Sequence, residues 1–215
     1  MSGVCVRRVL YFHENQLSYP RAREEERDFQ FGWTQILSCL AADVVCFNSE
    51  WNRRSFLSSV PAFINRSPDK EPRDVARAIE AKSRVVYFPV EVPRLPRARE
   101  EGLPLHIVWN HRWEHDKDPD TFFEVLGQLH DAQVPFRLSV LGEAFDERPE
   151  AFERARERLA PHIVRFGFVS SREEYYEALS RTEVCVSTAI HEFFGVAVVE
   201  AALLGNLCVC PNRLS

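Results

Sequence analysis

Glu192 and Glu200 stand eight residues apart around the step Phe193-Phe194-Gly195, a spacing that places two carboxylates about one loop and one helix start. The run Val184-Cys185-Val186-Ser187-Thr188 is β-branched and alternating and reads as a strand, so Glu192 falls in the loop at that strand's carboxyl end. Open α/β sheets bind ligands at that edge. The apolar run from Val196 to Leu204 reads as the following helix, closed by Gly205, and Leu207-Cys208-Val209-Cys210 reads as the next strand. Gly195 permits close approach of a ligand to the backbone, and the free N–H groups of the helix start attract an anion such as a diphosphate. Glu200 is a charge within an apolar helix and needs a polar partner there, for which the hydroxyl pair of a sugar is suited. The combination reads as a nucleotide-sugar site. The spacing alone also arises by chance, and such a Glu can instead pair with an Arg.

Arg112 and Lys117 lie in the polar loop 110–118 that follows a second apolar strand, Leu105 to Trp109. Two cations there can clamp a diphosphate and stabilise its charge as it leaves, Arg in bidentate fashion and Lys as a point charge. The alternative is that they are surface charges paired with Glu114 and Asp116. Asp116 and Asp118 form an Asp-x-Asp pattern of the kind that can hold a divalent cation, but Asp118-Pro119-Asp120 is explained as a helix start, with Asp as N-cap and Pro at the first helical position. No metal is expected. His13 ends a strand beside Glu14, Asn15 and Gln16, a place suited to a pocket floor or to a hydrogen-bonded loop residue.

The bulk properties exclude more than they assign. The 215 residues are 45% hydrophobic and 27% charged, with a net charge of −5, so no general polyanion-binding surface is implied. Basic clusters at Arg7-Arg8, Arg21 and Arg23, Arg53-Arg54 and Arg94 to Arg99 are mostly flanked by acids. The cysteines at 5, 39, 46, 185, 208 and 210 show no C-x-x-C or metal spacing and read as buried, reduced thiols. No apolar run reaches the roughly 18–20 residues of a membrane span, and Arg7-Arg8 interrupts the apolar N-terminus. The expectation is a soluble protein of the cytoplasm, with the nucleus as a second compartment, without an obligate protein partner.

Strands and helices alternate along the chain, which means parallel α/β layers. Strands are expected over Arg8 to Phe12, Ala41 to Phe47, Arg84 to Pro89, Leu105 to Trp109, Phe136 to Leu141 and Ile163 to Phe168. Helices are expected over Asp28 to Leu40, from the Asn48-Ser49 cap through Trp51 and Phe56, over 149–160 and over Arg172 to Ser180, with a loop and a helix in 61–83. Residues 90–104, rich in Pro, Arg and Glu with nothing to bury, read as a linker between a domain at 1–89 and a domain at 105–215. No G-x-G-x-x-G is present, which argues against a Rossmann dehydrogenase.

Arg112, Lys117 and the E-x7-E pair resemble the diphosphate clamp and signature of the retaining GT-B glycosyltransferases that use nucleotide-diphosphate sugars. The resemblance implies two Rossmann-like domains with the donor in the cleft. It assigns the transferred sugar to Glu192, the ribose hydroxyls to Glu200, donor contacts to Phe193, Phe194, Gly195 and Val196, and the base to backbone around Phe166-Gly167-Phe168. Longer stretches are similar to the branch of that family that mannosylates queuosine in tRNA. They are Tyr11 to Gln16, Gln35 to Leu40, Trp109 to Pro119 and His191 to Ala197. That likeness implies GDP-mannose as donor, no cofactor, queuosine at the wobble position of aspartate tRNA as acceptor, and His13, Glu14, Asn15 and Gln16 on the acceptor side. The family's Gly-Gly-containing loop near the N-terminus and its final segment are not found here. The expectation is therefore a piece of a larger enzyme, its N-terminal domain incomplete and its C-terminal domain lacking its last elements.

Overall fold

The computed structural model describes residues 6–19, 29–66, 74–96, 102–143 and 150–212. Asp28, the Arg21 and Arg23 cluster, Arg97 to Arg99, Cys5 and the residues after Asn212 lie outside the described residues. Two compact units form. The first holds a three-stranded parallel sheet in the order β1-β2-β3, built from β1 (Val9–Phe12), β2 (Val44–Phe47) and β3 (Ser83–Val85). Its helices are α1 (Phe29–Ala41), α2 (Glu50–Asn65) and α3 (Val75–Glu80). They close over a core of Phe12, Ile36, Phe47, Phe56 and Phe63. Segment Glu192–Phe194 also belongs to this unit, where the Ser49 hydroxyl donates to the Phe193 carbonyl and accepts from Asn52 N–H as the cap of α2.

The first unit departs from the sequence reading in several places, the first at Ala41, which closes α1, so that β2 starts only at Val44. Helix α2 continues through Pro61, which removes one helical N–H, because Val60, Phe63 and Ile64 on the turns around it are buried. Burial of that stripe outweighs the lost hydrogen bond. Strand β3 ends at Val85 rather than Pro89; beyond it Val86 N–H still bonds to Phe47 O, while Tyr87 is exposed and pairs with no strand.

The second unit holds a five-stranded parallel sheet in the order β6-β5-β4-β7-β8. The strands are β4 (Leu105–Trp109), β5 (Phe136–Leu141), β6 (Ile163–Gly167), β7 (Val184–Val186) and β8 (Leu207–Val209), and the helices are α4 (Pro119–Asp131), α5 (Glu150–Arg158), α6 (Arg172–Ser180) and α7 (Val196–Leu203). Alternation along the strands separates two cores, as expected for a sheet covered on both faces. Ile107, Trp109, Leu138 and Val140 pack with Phe122 and Phe152 of α4 and α5. Val108, Leu141 and Cys185 pack with Tyr176 and Leu179 of α6 and with Ala201 of α7. Val92 and Leu95 join that second cluster, so the stretch read as having nothing to bury does bury apolar side chains.

Strand order fixes where the loops part. The chain moves outward from β4 through β5 to β6, then returns to place β7 on the other side of β4. Neighbouring loops after β4 and β7 therefore diverge, and the crevice left at that switch point is the ligand edge of a doubly wound sheet. Gly142, just past β5, closes on this edge with φ 146°, and a Cβ there would overlap the His111 carbonyl oxygen. Gly142→Ala should lower stability by about 1–3 kcal/mol in urea denaturation. An unchanged unfolding midpoint would contradict the packing described.

Candidate donor site at the switch point

Trp113 anchors the loop after β4. Its ring is buried and stacks on Phe152 at 4.1 Å, and its backbone N–H donates to Glu143 O at 3.0 Å, tying this loop to the one after β5. Arg112, one residue earlier, stands half in solvent with Nη2 3.2 Å from Glu114 Oε2. Burial pushes the Glu114 carboxyl up, opposed by the Arg112 guanidinium. A 3₁₀ turn over His115–Lys117 then leads to Asp118, which caps α4 by accepting from Thr121 N–H. That capping role accounts for Asp118. Among the described residues no group of three or more His, Cys, Asp or Glu side chains converges as metal ligands do.

Lys117 is not a surface charge. Its side chain is 9% exposed, its Nζ lies 3.0 Å from Asp116 Oδ2, and it donates to His191 O at 3.1 Å. The bonds run both ways between the loops after β4 and β7. Ile190 and His191 N–H both point to Asp116 O, and Thr188 Oγ1 lies 2.8 Å from Lys117 O and 2.9 Å from Asp118 O. Of the two alternatives read from the sequence, pairing with Glu114 and Asp116 is present in both cases, yet only Arg112 is placed at the surface.

Helix α7 opens at Gly195, whose φ of 82° needs glycine and whose place as N-cap supplies no side-chain hydrogen bond to the first turn. Glu192 Oε1 accepts from the N–H groups of Phe193 (3.1 Å) and Phe194 (3.4 Å), so it holds the loop leading to that helix. Glu200 has partners within the protein, where the sequence reading offered a ligand or an Arg: Arg172 Nη2 lies 3.9 Å from its Oε1, and two tyrosines hold it more closely. Tyr175 OH donates to Oε2 at 3.1 Å and Tyr176 OH to Oε1 at 3.0 Å. Burial, with the Glu200 charge next in weight, pushes the Tyr175 phenol far up, so it stays a donor. Asn110 joins these parts: its Nδ2 reaches Tyr175 Oη (3.0 Å) and Ala197 O (2.8 Å), and its Oδ1 accepts from Cys185 Sγ.

A cavity of about 350 Å³ opens beside these groups, lined by Asn110, Arg112, Gly142, Phe168, Arg172 and Tyr175 among others. Gly167 has φ 128° and open space where a Cβ would stand, and Phe168 is exposed, so a flat group can lie against this backbone. Asn110, Tyr175, Tyr176 and Arg172 were missed in the sequence. The signal was there, since a carboxylate inside an apolar helix demands polar partners and a Tyr-Tyr step lies on the preceding helix.

On the first unit, His13 is exposed between Tyr11 and Phe88, with ring centroids at 4.9 and 5.6 Å. Asn15, expected on a substrate-facing surface, is fully buried. Its amide bonds to Asn52 Oδ1, Ser55 Oγ and Ser18, so it holds the loop rather than a ligand. Gln16 N–H donates to Gln35 Oε1, and its side-chain amide to Glu14. Among the cysteines, 39, 46 and 185 are buried as expected, whereas Cys208 is half-buried and Cys210 exposed, since β8 is the edge strand of its sheet. No described helix is long and apolar enough to cross a membrane.

The Glycosyl transferases group 1 family profile matches residues 98–214. The chain belongs to that family. A second profile, described as tRNA-queuosine alpha-mannosyltransferase N-terminal, matches residues 2–90. A curated relative from Drosophila melanogaster, named tRNA-queuosine alpha-mannosyltransferase, is 45% identical over 97% of this chain and 58% of its own length. The chain thus spans little more than half of that relative. Among solved structures, HepE from Anabaena in complex with UDP and glucose aligns with a TM-score of 0.62 at 12% identity, covering 94% of this chain and 52% of its own. Sucrose-phosphate synthase from Thermosynechococcus elongatus aligns with a TM-score of 0.61 at 18% identity, covering 94% and 49%. At such identities the likeness is one of fold, and the fold is that of GT-B glycosyltransferases.

The clasp at Lys117 makes a stability prediction separable from activity. Lys117→Met leaves Asp116 charged in a nearly closed setting and should cost about 3–5 kcal/mol in urea denaturation. Adding Asp116→Asn should recover most of the loss. Equal destabilisation in single and double variants would show that the ion pair does not hold the two loops.

Proposed function

We propose that the whole protein transfers mannose from GDP-mannose to queuosine in tRNA, with retention at the anomeric carbon and without a metal. The observation that carries the donor half is the clasp at the switch point, which brings an exposed Arg112, a fixed Lys117 and the uncapped start of α7 to one sheet edge. Such an edge suits a diphosphate, because helix N–H groups and two cations oppose its charge before the bond breaks and stabilise the leaving group as charge grows on it. Glu200 takes the ribose hydroxyls, the backbone at Gly167 and Phe168 takes the base, and Phe193, Phe194, Gly195 and Val196 line the donor. Glu192 fixes the hydroxyls of the mannose. Mannose and tRNA rest on the name of the Drosophila relative and on the sequence likeness in the first unit. His13, Glu14 and Gln16 face the acceptor, held by the buried Asn15.

The test is mannose transfer by the full-length protein, comparing queuosine-containing aspartate tRNA with the same tRNA lacking queuosine. Transfer is expected only to the modified tRNA, and chelation of divalent cations should leave it almost unchanged. Arg112→Ala, a half-exposed position with little packing to lose, should lower turnover by roughly 100- to 1,000-fold, the usual effect of removing one transition-state donor. Wild-type turnover in that variant, or strict dependence on Mn²⁺, would overturn the clamp.

A further inference from the structure

We propose that Tyr175 and Tyr176 are positioning residues that hold the Glu200 carboxylate as a bidentate acceptor for the vicinal diol of a ribose. This rests on the reading that Glu200 faces the nucleotide. Consecutive residues on a helix point about 100° apart, a consequence of 3.6 residues per turn. Yet these two hydroxyls meet on one carboxylate, Tyr175 on Oε2 and Tyr176 on Oε1. Glu200 is therefore gripped from both sides, and its in-plane rotation is fixed by one bond to each oxygen.

The hydrogen atoms can be accounted for. Asn110 Nδ2 donates to Tyr175 Oη at 3.0 Å, so the single proton of that hydroxyl is committed to Glu200. Arg172 Nε donates to Tyr176 Oη at 2.7 Å, and the guanidinium carbon lies 5.3 Å from the ring centroid. The Tyr176 proton is divided between Glu200 Oε1 at 3.0 Å and Glu91 O at 3.3 Å. An ionised carboxylate has about four lone-pair sites. The tyrosines fill one on each oxygen and leave one on each, the arrangement that accepts two adjacent hydroxyls. Arg172 Nη2 stands 3.9 Å from Oε1, too far to take a lone pair by hydrogen bonding, the Glu200 side chain is 12% exposed, and its partners Asn110, Arg172 and Tyr175 line the neighbouring cavity.

A purely structural role, in which the tyrosines only satisfy an enclosed charge, predicts lost stability with no change in selectivity for ribose. The experiment reads selectivity. Calorimetric Kd values for GDP and 2′-deoxy-GDP, with UDP and 2′-deoxy-UDP as a second pair, are compared in the full-length protein and in Tyr175→Phe, Tyr176→Phe, the double variant and Glu200→Gln, each checked by thermal melting. Wild type should prefer the ribonucleotide by about tenfold, the loss expected for one hydrogen bond to a charged group. The double variant should bring that ratio to within about twofold while barely altering 2′-deoxy binding. If the double variant does not fold, Tyr175→Phe alone decides, since it removes the committed donor and keeps the ring. A folded variant that retains the wild-type ratio, while Glu200→Gln loses it, would overturn the positioning role and leave Glu200 as the diol residue. No ribose preference in wild type, or no nucleotide binding, would overturn both.

Discussion

Lys117 is a nearly closed cation whose ammonium group is held by Asp116 and by the carbonyl of His191, and this clasp joins the two loops that strand order forces apart. A switch point leaves backbone polar groups at the carboxyl edge without a neighbouring strand, and buried N–H and C=O groups must be paired. Here Asp116 O accepts from two amides of the facing loop, and the Thr188 hydroxyl bridges to the start of α4. With these bonds made, the backbone of the loop that carries Arg112 is tied to the loop after β7. Catalytic groups positioned in advance stabilise developing charge without reorganisation.

A second tier of polar contacts lies behind the first. Asn110 reaches α6, α7 and β7 at once, through Tyr175, Ala197 and Cys185. It sits at the end of β4, where one side chain can touch elements on either side of the switch point. The same geometry explains why Glu200 tolerates an apolar helix. Its partners come from α6, which covers the same sheet face as α7.

Much of this was legible in the sequence, and what was not has physical causes. The strand at Phe136–Leu141 and the helix at Arg172–Ser180 follow from composition and flanking turn residues, and Asp118-Pro119 marks the start of α4 with its cap. Pro61 hid the length of α2, because the sequence shows the missing N–H but not the burial of Phe63 and Ile64 that outweighs it. The strand after α3 was overdrawn because β-branched and aromatic residues continue past the point where a partner strand ends. At the site, Arg112, Lys117 and the Glu pair stood out through charge and spacing. Asn110 and the two tyrosines did not, because neutral residues acting through another side chain have no spacing rule. Asn15 was misplaced for a related reason: a polar residue in a loop is indistinguishable by type from one buried to hold that loop.

The measurement that bears most directly on the site is hydrogen exchange of the full-length protein with and without GDP-mannose, read by peptide. Slowed exchange is expected in three stretches, the loop 110–118, residues 167–170 and the first turn of α7. Protection confined to the separate groove between β5, β6 and α6, lined by Arg137, Arg165 and Arg181, would contradict it.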